Sequence, residues 1–240
     1  MKRKKIFIVL AVVAIIAGCG KGVPFDGAKI ATVTNVKANY TTTYTYNADG
    51  AIASMKQNTG SKVTFQYNDS NVLQNNYTLG QNVSSAISYT KNAAGLVDTA
   101  QGEYLYGNYS YAFIFDGNSQ ITQQKNYVLG ALQSTVTYTN VNKNVYKIDS
   151  NLVGSNTHFY DYYTYIPSNS NSIGVQNQGR FFLGASSANL VLSDVKIDNN
   201  LDTVDVISYR YRYDVNGFVD TLSSYHRTGQ LIDSLIFTYY

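Results

Sequence analysis

The sequence has no tryptophan, one cysteine, two prolines and two histidines, and Glu103 is the single glutamate among its 15 acidic residues. Because one cysteine cannot form an intramolecular disulfide, stability has to come from packing. Glutamate favours helices, and its near absence beside 23 tyrosines and many threonines, valines and isoleucines indicates strands and turns. The composition therefore predicts an all-β protein.

The charge pattern excludes a nucleic-acid binder. Charged residues make up 14% of the 240 residues and hydrophobic residues 44%, so the chain can bury a core and is not disordered. Four of the 18 basic residues lie at positions 2–5, which leaves 14 basic residues against 15 acidic ones. No basic surface for nucleic acid remains, and we expect no nucleic-acid partner and no cofactor.

The first residues form a targeting segment. A basic start is followed by the apolar stretch Ile6–Ile16, which is shorter than the roughly 20 residues that a membrane-spanning helix needs. The next residues resemble the lipobox of bacterial lipoproteins, formed by Ile16, Ala17, Gly18 and Cys19. This resemblance implies removal of a signal peptide at 1–18, a diacylglycerol thioether on Cys19 and acylation of the new amino terminus, for example with palmitate.

The lipobox predicts a protein that reaches the membrane through its lipid anchor. Gly20 stands where an aspartate would retain a lipoprotein at the inner membrane, which favours the outer membrane. The alternative is an ordinary secretory cleavage site beside a free thiol. We expect residues 19–38 to be a lipidated tether and residues 39–240 to form a single β domain.

A short element recurs along the mature chain. Two aromatic residues separated by one residue are followed by Asn or Asp, and often by a glycine and an aliphatic residue, as at 44–52 and 211–219. The second aromatic residue of each copy falls at Tyr46, Tyr67, Tyr89, Phe115, Tyr138, Tyr213 and Tyr239. The first four intervals, of 21, 22, 26 and 23 residues, suit two strands and their turns. The pattern predicts an extended, twisted antiparallel meander of repeated β-hairpins.

Alternation within the strands predicts which side chains share a face. Aromatic residues occupy every second position and would stack across neighbouring strands. An exposed row of this kind could form a ligand face, and the candidates are Tyr111, Phe113, Phe115, Tyr209, Tyr211 and Tyr213. The period breaks around residues 166–192, which we interpret as an irregular insertion that packs on the sheet.

The Y-x-Y-[DN]-x-x-G units at 44–50 and 211–217 resemble YD/RHS-type repeats. Together with the lipobox and the Gly-Ala-Ser-Ser-Ala-Asn-Leu segment at 184–190, they are similar to uncharacterised Bacteroidetes lipoproteins that carry a domain of unknown function. The resemblance covers nearly all of residues 40–240. It implies repeated hairpins and carries no established activity or catalytic residues.

Catalytic and metal sites receive little support from the sequence. His158 and His226 lie in no nucleophile–base motif, and packing or surface roles are favoured for both. An acidic cluster comprises Asp194, Asp198, Asp202 and Asp205. A turn explains this cluster best, weak calcium binding comes second, and a pair of carboxylates for glycoside hydrolysis is a third reading.

The sequence therefore predicts a lipid-anchored, non-enzymatic envelope protein with a binding or structural role. Its partner would be a glycan, an apolar molecule or another envelope protein. Two alternatives stay open. One is a glycan-processing enzyme that uses the carboxylates between Asp194 and Asp205, and the other is an outer-membrane β-barrel, which alternating strands and the terminal Tyr240 would suit.

Overall fold

A computed structural model describes residues 29–78, 83–104, 107–151, 157–167, 189–198 and 200–240. These residues form sixteen β-strands and contain no helix, hence none that could cross a membrane. The strands are β1 (Ile30–Asn35), β2 (Tyr40–Tyr46), β3 (Ile52–Gln57), β4 (Lys62–Tyr67), β5 (Asn71–Tyr77), β6 (Val83–Lys91), β7 (Val97–Tyr104), β8 (Gly107–Phe115), β9 (Ile121–Val128), β10 (Ala131–Val141), β11 (Asn144–Ser150), β12 (Thr157–Pro167), β13 (Asn189–Ile197), β14 (Thr203–Tyr213), β15 (Val219–His226) and β16 (Leu231–Tyr239).

The sixteen strands form a closed barrel. Each strand pairs antiparallel with the next one, and β1 pairs with β16 from Ile30 opposite Tyr239 to Asn35 opposite Leu235. The predicted all-β antiparallel meander is confirmed. The prediction of an extended sheet is wrong, because the first and last strands satisfy each other's edges and leave none open.

The barrel begins earlier than the sequence indicated. Strand β1 falls within the segment 19–38 that was predicted to be a tether, because its backbone is needed to pair with both β2 and β16. Of the predicted insertion at 166–192, only the end of β12 and the start of β13 lie within the described residues. These two strands pair directly with each other, so the insertion connects neighbours in the wall.

The predicted hairpin turns share one hydrogen-bonding pattern. In the turn after β14, Asp214 N–H donates to Phe218 O, Gly217 N–H donates to Asp214 O, and the Asp214 carboxylate accepts the amides of Asn216 and Phe218. Gly217 has a φ of +83°, which a glycine adopts without steric cost. The same bonds recur in three further turns, which begin at Asn92, Asp116 and Asp198, with the side-chain amide oxygen as the acceptor at Asn92. The turn at Asn47 has the same backbone bonds, but there the Asp49 carboxylate accepts the amide of Ala51.

Register pairing divides the side chains into two walls. One row crosses six strands at Val72, Tyr89, Ala100, Tyr111, Asn126 and Ser134. The neighbouring row, on the opposite face, crosses them at Leu73, Ser88, Gln101, Ser110, Tyr127 and Leu132. The first row is buried or partly buried, whereas the second contains the exposed residues Ser88, Gln101 and Leu132.

We call the face of the first row the inner wall and the face of the second row the outer wall. Side chains converge on the concave side of a closed sheet and shield one another, whereas they diverge on the convex side. The outer wall is mostly polar, although it also carries apolar residues such as Ile114 and Leu132. Hydroxyl pairs join neighbouring strands across it at Thr32–Thr238, Thr34–Thr41, Thr45–Ser54 and Ser223–Ser234.

The two ends of the barrel differ. The turns that follow the aromatic repeat, the described chain ends Lys29 and Tyr240, and the β12–β13 connection all lie at one end, which we call the repeat rim. The other end, the opposite rim, carries the turns at 36–39, 58–61, 129–130 and 227–230. At the repeat rim, aromatic residues pair with fully or almost fully buried aliphatic ones, at Tyr46–Ile52, Tyr67–Val72, Phe115–Ile121, Tyr213–Val219 and Tyr239–Ile30.

Candidate functional site

The interior of the barrel is the candidate site. A wall of sixteen strands is too wide for its side chains to fill, as it is in channel-forming barrels. Many apolar side chains of the inner wall are accordingly only partly buried, although they pack against the buried core. These residues are Val33, Tyr44, Tyr46, Met55, Val63, Tyr67, Ile87, Tyr111, Phe113, Phe115, Tyr211, Leu222, Leu235 and Tyr239. They form an apolar lining that solvent, and hence a ligand, can reach.

The tyrosines near the repeat rim connect neighbouring hairpins through hydrogen bonds. The Tyr46 hydroxyl donates to Ile30 O at 2.9 Å, that of Tyr67 to Ile52 O at 2.9 Å, and that of Tyr239 to Val219 O at 2.6 Å. In each case the acceptor belongs to the adjacent strand, beyond the last paired residues of the two strands. Burial raises the pKa of Tyr46 and Tyr239 well above its ordinary value, so these hydroxyls stay protonated donors.

All six residues of the predicted ligand face lie on the inner wall. Tyr111 lies against Tyr109 at a ring-centroid distance of 5.4 Å and against Phe113 at 6.3 Å. Tyr211 donates its hydroxyl to Val191 O at 2.8 Å, and Tyr213 is 37% exposed at the repeat rim. The predicted set thus lines two sectors of the interior, on β8 and on β14.

Two amide ladders extend the lining towards the opposite rim, and sequence reasoning missed both. Gln74 Nε2 donates to Asn76 Oδ1, whose Nδ2 donates to Ser85 Oγ, at 2.9 Å each. The same ladder joins Gln124, Asn126 and Ser134 at 2.7 Å each. The signal was the recurrence of Gln-x-Asn after 50 residues.

A charged cluster occupies the inner wall of β12–β15, near the opposite rim. His158 Nδ1 lies 3.0 and 3.1 Å from the two carboxylate oxygens of Asp194, whose side chain is 8% exposed. His226 Nδ1 lies 3.6 Å from Asp205 Oδ1. Lys196 stands between them in register, opposite His158 on one side and Asp205 on the other. Both histidines of the chain therefore lie beside an inner-wall carboxylate.

Tyr209 adjoins this cluster. Burial, followed by the negative charges of Asp194 and Asp205, raises its pKa to about 12. The Tyr209 hydroxyl is therefore protonated at neutral pH.

The four aspartates of the predicted acidic cluster are divided between different places. Asp194 and Asp205 take part in the inner-wall cluster, whereas the Asp198 carboxylate accepts the amides of Asn200 and Asp202 within a turn. The predicted turn is confirmed at Asp198–Asp202. Within the described ranges, no group of three or more His, Cys, Asp or Glu residues is arranged to hold a metal ion.

The outer wall carries a depression of about 370 Å³. Small residues of β6–β8 surround Leu73 there, and the lining is Leu73, Ala86, Ser88, Gln101, Gly102, Asn108, Tyr109, Ser110 and Gly130. The predicted lipidation site Cys19, the rest of the lipobox and residues 168–188 of the predicted insertion lie outside the described residues.

Comparisons with known proteins identify the fold. No protein-family model matches the sequence, and no curated protein does. The chain is similar to the crystal structure of a porin-like protein from Bacteroides uniformis, with a TM-score of 0.71 and 14% identity over 92% of this chain and all of that one. It is also similar to a porin-like protein from Bacteroides vulgatus, with a TM-score of 0.65 and 14% identity over 88% of this chain and 98% of that one. The chain thus has a closed antiparallel barrel of porin-like fold.

Proposed function

We propose that this protein is a lipid-anchored envelope protein, of non-enzymatic role, whose barrel interior binds an apolar small molecule. The observation that carries the proposal is the division between the walls. The aromatic and aliphatic residues of the hairpins line the inside, where many of them are only partly buried, and mostly polar residues cover the outside. Apolar pockets with a few polar groups are the usual form of small-molecule sites.

The polarity of the outer wall supports a barrel whose outer surface contacts water and not lipid. Threonines and serines alternate there with exposed or partly exposed charges such as Lys56, Lys125 and Arg210. A lysine or arginine on the lipid-facing side of a membrane barrel destabilises it by about 2–4 kcal/mol at mid-depth. This favours attachment to the membrane through the lipid on Cys19 over insertion of the barrel into the bilayer. The anchor then supports a location at the outer membrane.

The position of β1 supports a defined orientation of the barrel relative to the membrane. Cys19 precedes Ile30 by eleven residues, which span at most about 40 Å when fully extended. Ile30 lies at the repeat rim, beside Tyr46 and Tyr239. The anchor would therefore hold the aromatic end of the interior towards the membrane, within reach of molecules that leave it.

The anchor is tested by Cys19→Ala in the full chain, followed by membrane fractionation and metabolic labelling with palmitate. We expect the variant to lose the label and to leave the membrane fraction. A Cys19→Ala protein that still requires detergent for extraction would contradict the anchor and favour an inserted barrel.

The binding role is tested on the soluble fragment that begins at Lys21, titrated with the neutral apolar dye N-phenylnaphthylamine and screened against a glycan array. We expect the dye to bind and to gain fluorescence. Phe113→Ala, on the inner wall, should weaken binding, whereas Ile114→Ala, on the outer wall of the same strand, should not.

Melting temperatures of both variants are measured beside the titration, so that a folding defect is recognised. Equal effects of the two substitutions would place the dye on the outside and contradict the proposal. If glycans bind and the dye does not, the ligand of the interior would be a sugar and not an apolar molecule.

A further inference from the structure

The two amide ladders of the inner wall differ at one end. In the ladder of β5 and β6, the Tyr89 hydroxyl donates to Gln74 Oε1 at 3.0 Å and so occupies the terminal acceptor. In the ladder of β9 and β10, Tyr138 holds the equivalent position beside Gln124, because each tyrosine lies two residues after the strand partner of its ladder glutamine. The two copies can therefore be compared residue by residue.

The second ladder lacks the closing hydrogen bond. Gln124 Nε2 donates to Asn126 at 2.7 Å, but among the described residues neither Gln124 Oε1 nor the Tyr138 hydroxyl has a hydrogen-bond partner. Both side chains are partly buried on the inner wall, and burial raises the pKa of Tyr138, so its hydroxyl stays protonated. One acceptor and one donor are thus left for a ligand, whereas Tyr89 and Gln74 satisfy each other.

The surroundings of this acceptor and donor are apolar. Gln124 lies opposite Phe113 on β8, and Tyr138 lies opposite Ile148 on β11. The first ionisable side chain in that row is His158, two strands beyond Tyr138. An ionic ligand group at Gln124 and Tyr138 would lose its hydration without gaining an opposite charge, which is unfavourable.

The two unpaired groups select a hydroxyl by their chemistry. Gln124 Oε1 can only accept a hydrogen bond, and the protonated Tyr138 hydroxyl can donate one. A single alcohol group donates and accepts, so it can satisfy both side chains at once. A carboxylate or an ether has no proton to donate to Gln124 Oε1, and an ammonium group cannot accept from Tyr138.

We propose that Gln124 Oε1 and the Tyr138 hydroxyl together bind the alcohol group of a neutral long-chain amphiphile, whose alkyl part lies on Phe113 and the aromatic lining. The ligand hydroxyl would donate to Gln124 as the Tyr89 hydroxyl donates to Gln74 in the first ladder. This inference rests on the proposed binding role of the interior and deepens it by naming the class of ligand.

The experiment uses the soluble fragment that begins at Lys21, which contains all sixteen strands, and measures binding by isothermal titration calorimetry at neutral pH. The probes are 1-decanol, its isomer 1-methoxynonane, which has the same atoms but no hydroxyl, and decanoate. We expect decanol to bind about tenfold more tightly than its isomer, because the ether leaves Gln124 Oε1 unpaired. Decanoate should bind more weakly than decanol.

Gln124→Met is the decisive variant, because methionine keeps the length of the side chain and removes the amide. We expect it to lower the affinity for decanol about tenfold, to the level of the isomer. Gln123→Met, on the outer wall of the same strand, is the matched control and should change neither affinity. Melting temperatures are measured for both, because Gln124→Met also removes the donor to Asn126.

The two tyrosines provide a second matched pair. Tyr138→Phe removes a hydroxyl that bonds no described residue, so it should weaken decanol binding about fivefold without lowering the melting temperature. Tyr89→Phe breaks the bond to Gln74, so it should lower the melting temperature and leave the affinity for decanol unchanged. A purely structural role of Tyr138 would give the reverse pattern.

The outcomes separate this inference from the proposed function. Equal binding of the two isomers, or tighter binding of decanoate, would overturn the hydroxyl site and leave the apolar interior standing. Equal effects of Gln124→Met and Gln123→Met, or unchanged decanol binding by Tyr138→Phe, would overturn it as well. If neither the isomers nor N-phenylnaphthylamine binds, the proposed binding role itself fails, and this inference fails with it.

Discussion

Two sectors of the barrel are built from the same hairpin and differ in what they present to the interior. In β2–β8, aromatic and aliphatic residues form one continuous buried cluster around Phe65, Val72 and Tyr89. In β12–β15, the equivalent wall holds both histidines and three charged residues. The comparison shows that the hairpin provides the wall and that departures from its aromatic pattern provide the chemistry. Four predictions test this division.

The largest effect is expected in the aromatic sector. Phe65 is 5% exposed at the centre of its cluster, so Phe65→Ala removes a buried ring and leaves a cavity. We expect a loss of about 3–5 kcal/mol in the free energy of unfolding, measured by urea denaturation. Leu132→Ala, at a residue that is 53% exposed on the outer wall, is the control and should stay within about 0.5 kcal/mol. Similar losses in both variants would contradict the assignment of the walls.

The charged sector should respond less, and in a way that depends on the partner. His158→Ala leaves the buried Asp194 carboxylate without its imidazole, and we expect a loss of about 1–3 kcal/mol in the free energy of unfolding. The double variant His158→Ala/Asp194→Ala should recover part of this loss, because the unpaired charge is gone. A double variant that is less stable than His158→Ala would show that the pair is not coupled in this way.

A smaller effect is expected at the repeat rim, where both sectors use the same turn. Asp214→Ala removes the acceptor for the amides of Asn216 and Phe218, and should cost about 1 kcal/mol in thermal or urea unfolding. Asn216→Ala, in the same turn, leaves these backbone bonds in place and serves as the control. Equal stability of the two variants would argue against the role of the carboxylate in the turn.

The smallest effect is expected on the outer wall. Arg212 Nε lies 2.8 Å from Asp220 Oδ1 in a solvent-exposed ion pair, and the guanidinium lowers the pKa of the Asp220 carboxyl. A carboxyl whose pKa is lowered by folding adds stability above its unfolded pKa and loses it as the pH falls. Arg212→Ala should raise the pKa of Asp220, as followed by NMR titration, with no measurable change in unfolding at neutral pH because solvent screens the pair. An unchanged pKa would contradict the pairing.

Local features of the fold could be predicted from the sequence, and long-range ones could not. The turn at Asp214–Gly217 and the shared face of Tyr111, Phe113 and Phe115 depend on neighbouring residues, and both were predicted correctly. Closure depends on the pairing of Ile30 with Tyr239, which no local pattern encodes. An alternating strand looks the same in an open sheet and in a barrel.

The charged cluster was missed for the same reason. His158 and Asp194 are 36 residues apart, and they meet only because β12 pairs with β13 in one register. The hairpin around Asp198 did contain a usable signal, since that turn places Lys196 opposite Asp205. That turn fixes only the register of β13 on β14, whereas the register of β12 on β13, which brings His158 to Asp194, follows a longer connection.

Sealing the barrel with its first and last strands has a consequence for biogenesis. Thr32 of β1 and Thr238 of β16 are partners, so the wall stays incomplete until β16 has been synthesised and has reached the compartment in which the barrel folds. Contacts between such distant residues are slow to form. A C-terminal truncation that removes β16 would therefore leave two exposed strand edges, and we expect it to behave as an aggregation-prone export intermediate and not as a smaller folded protein.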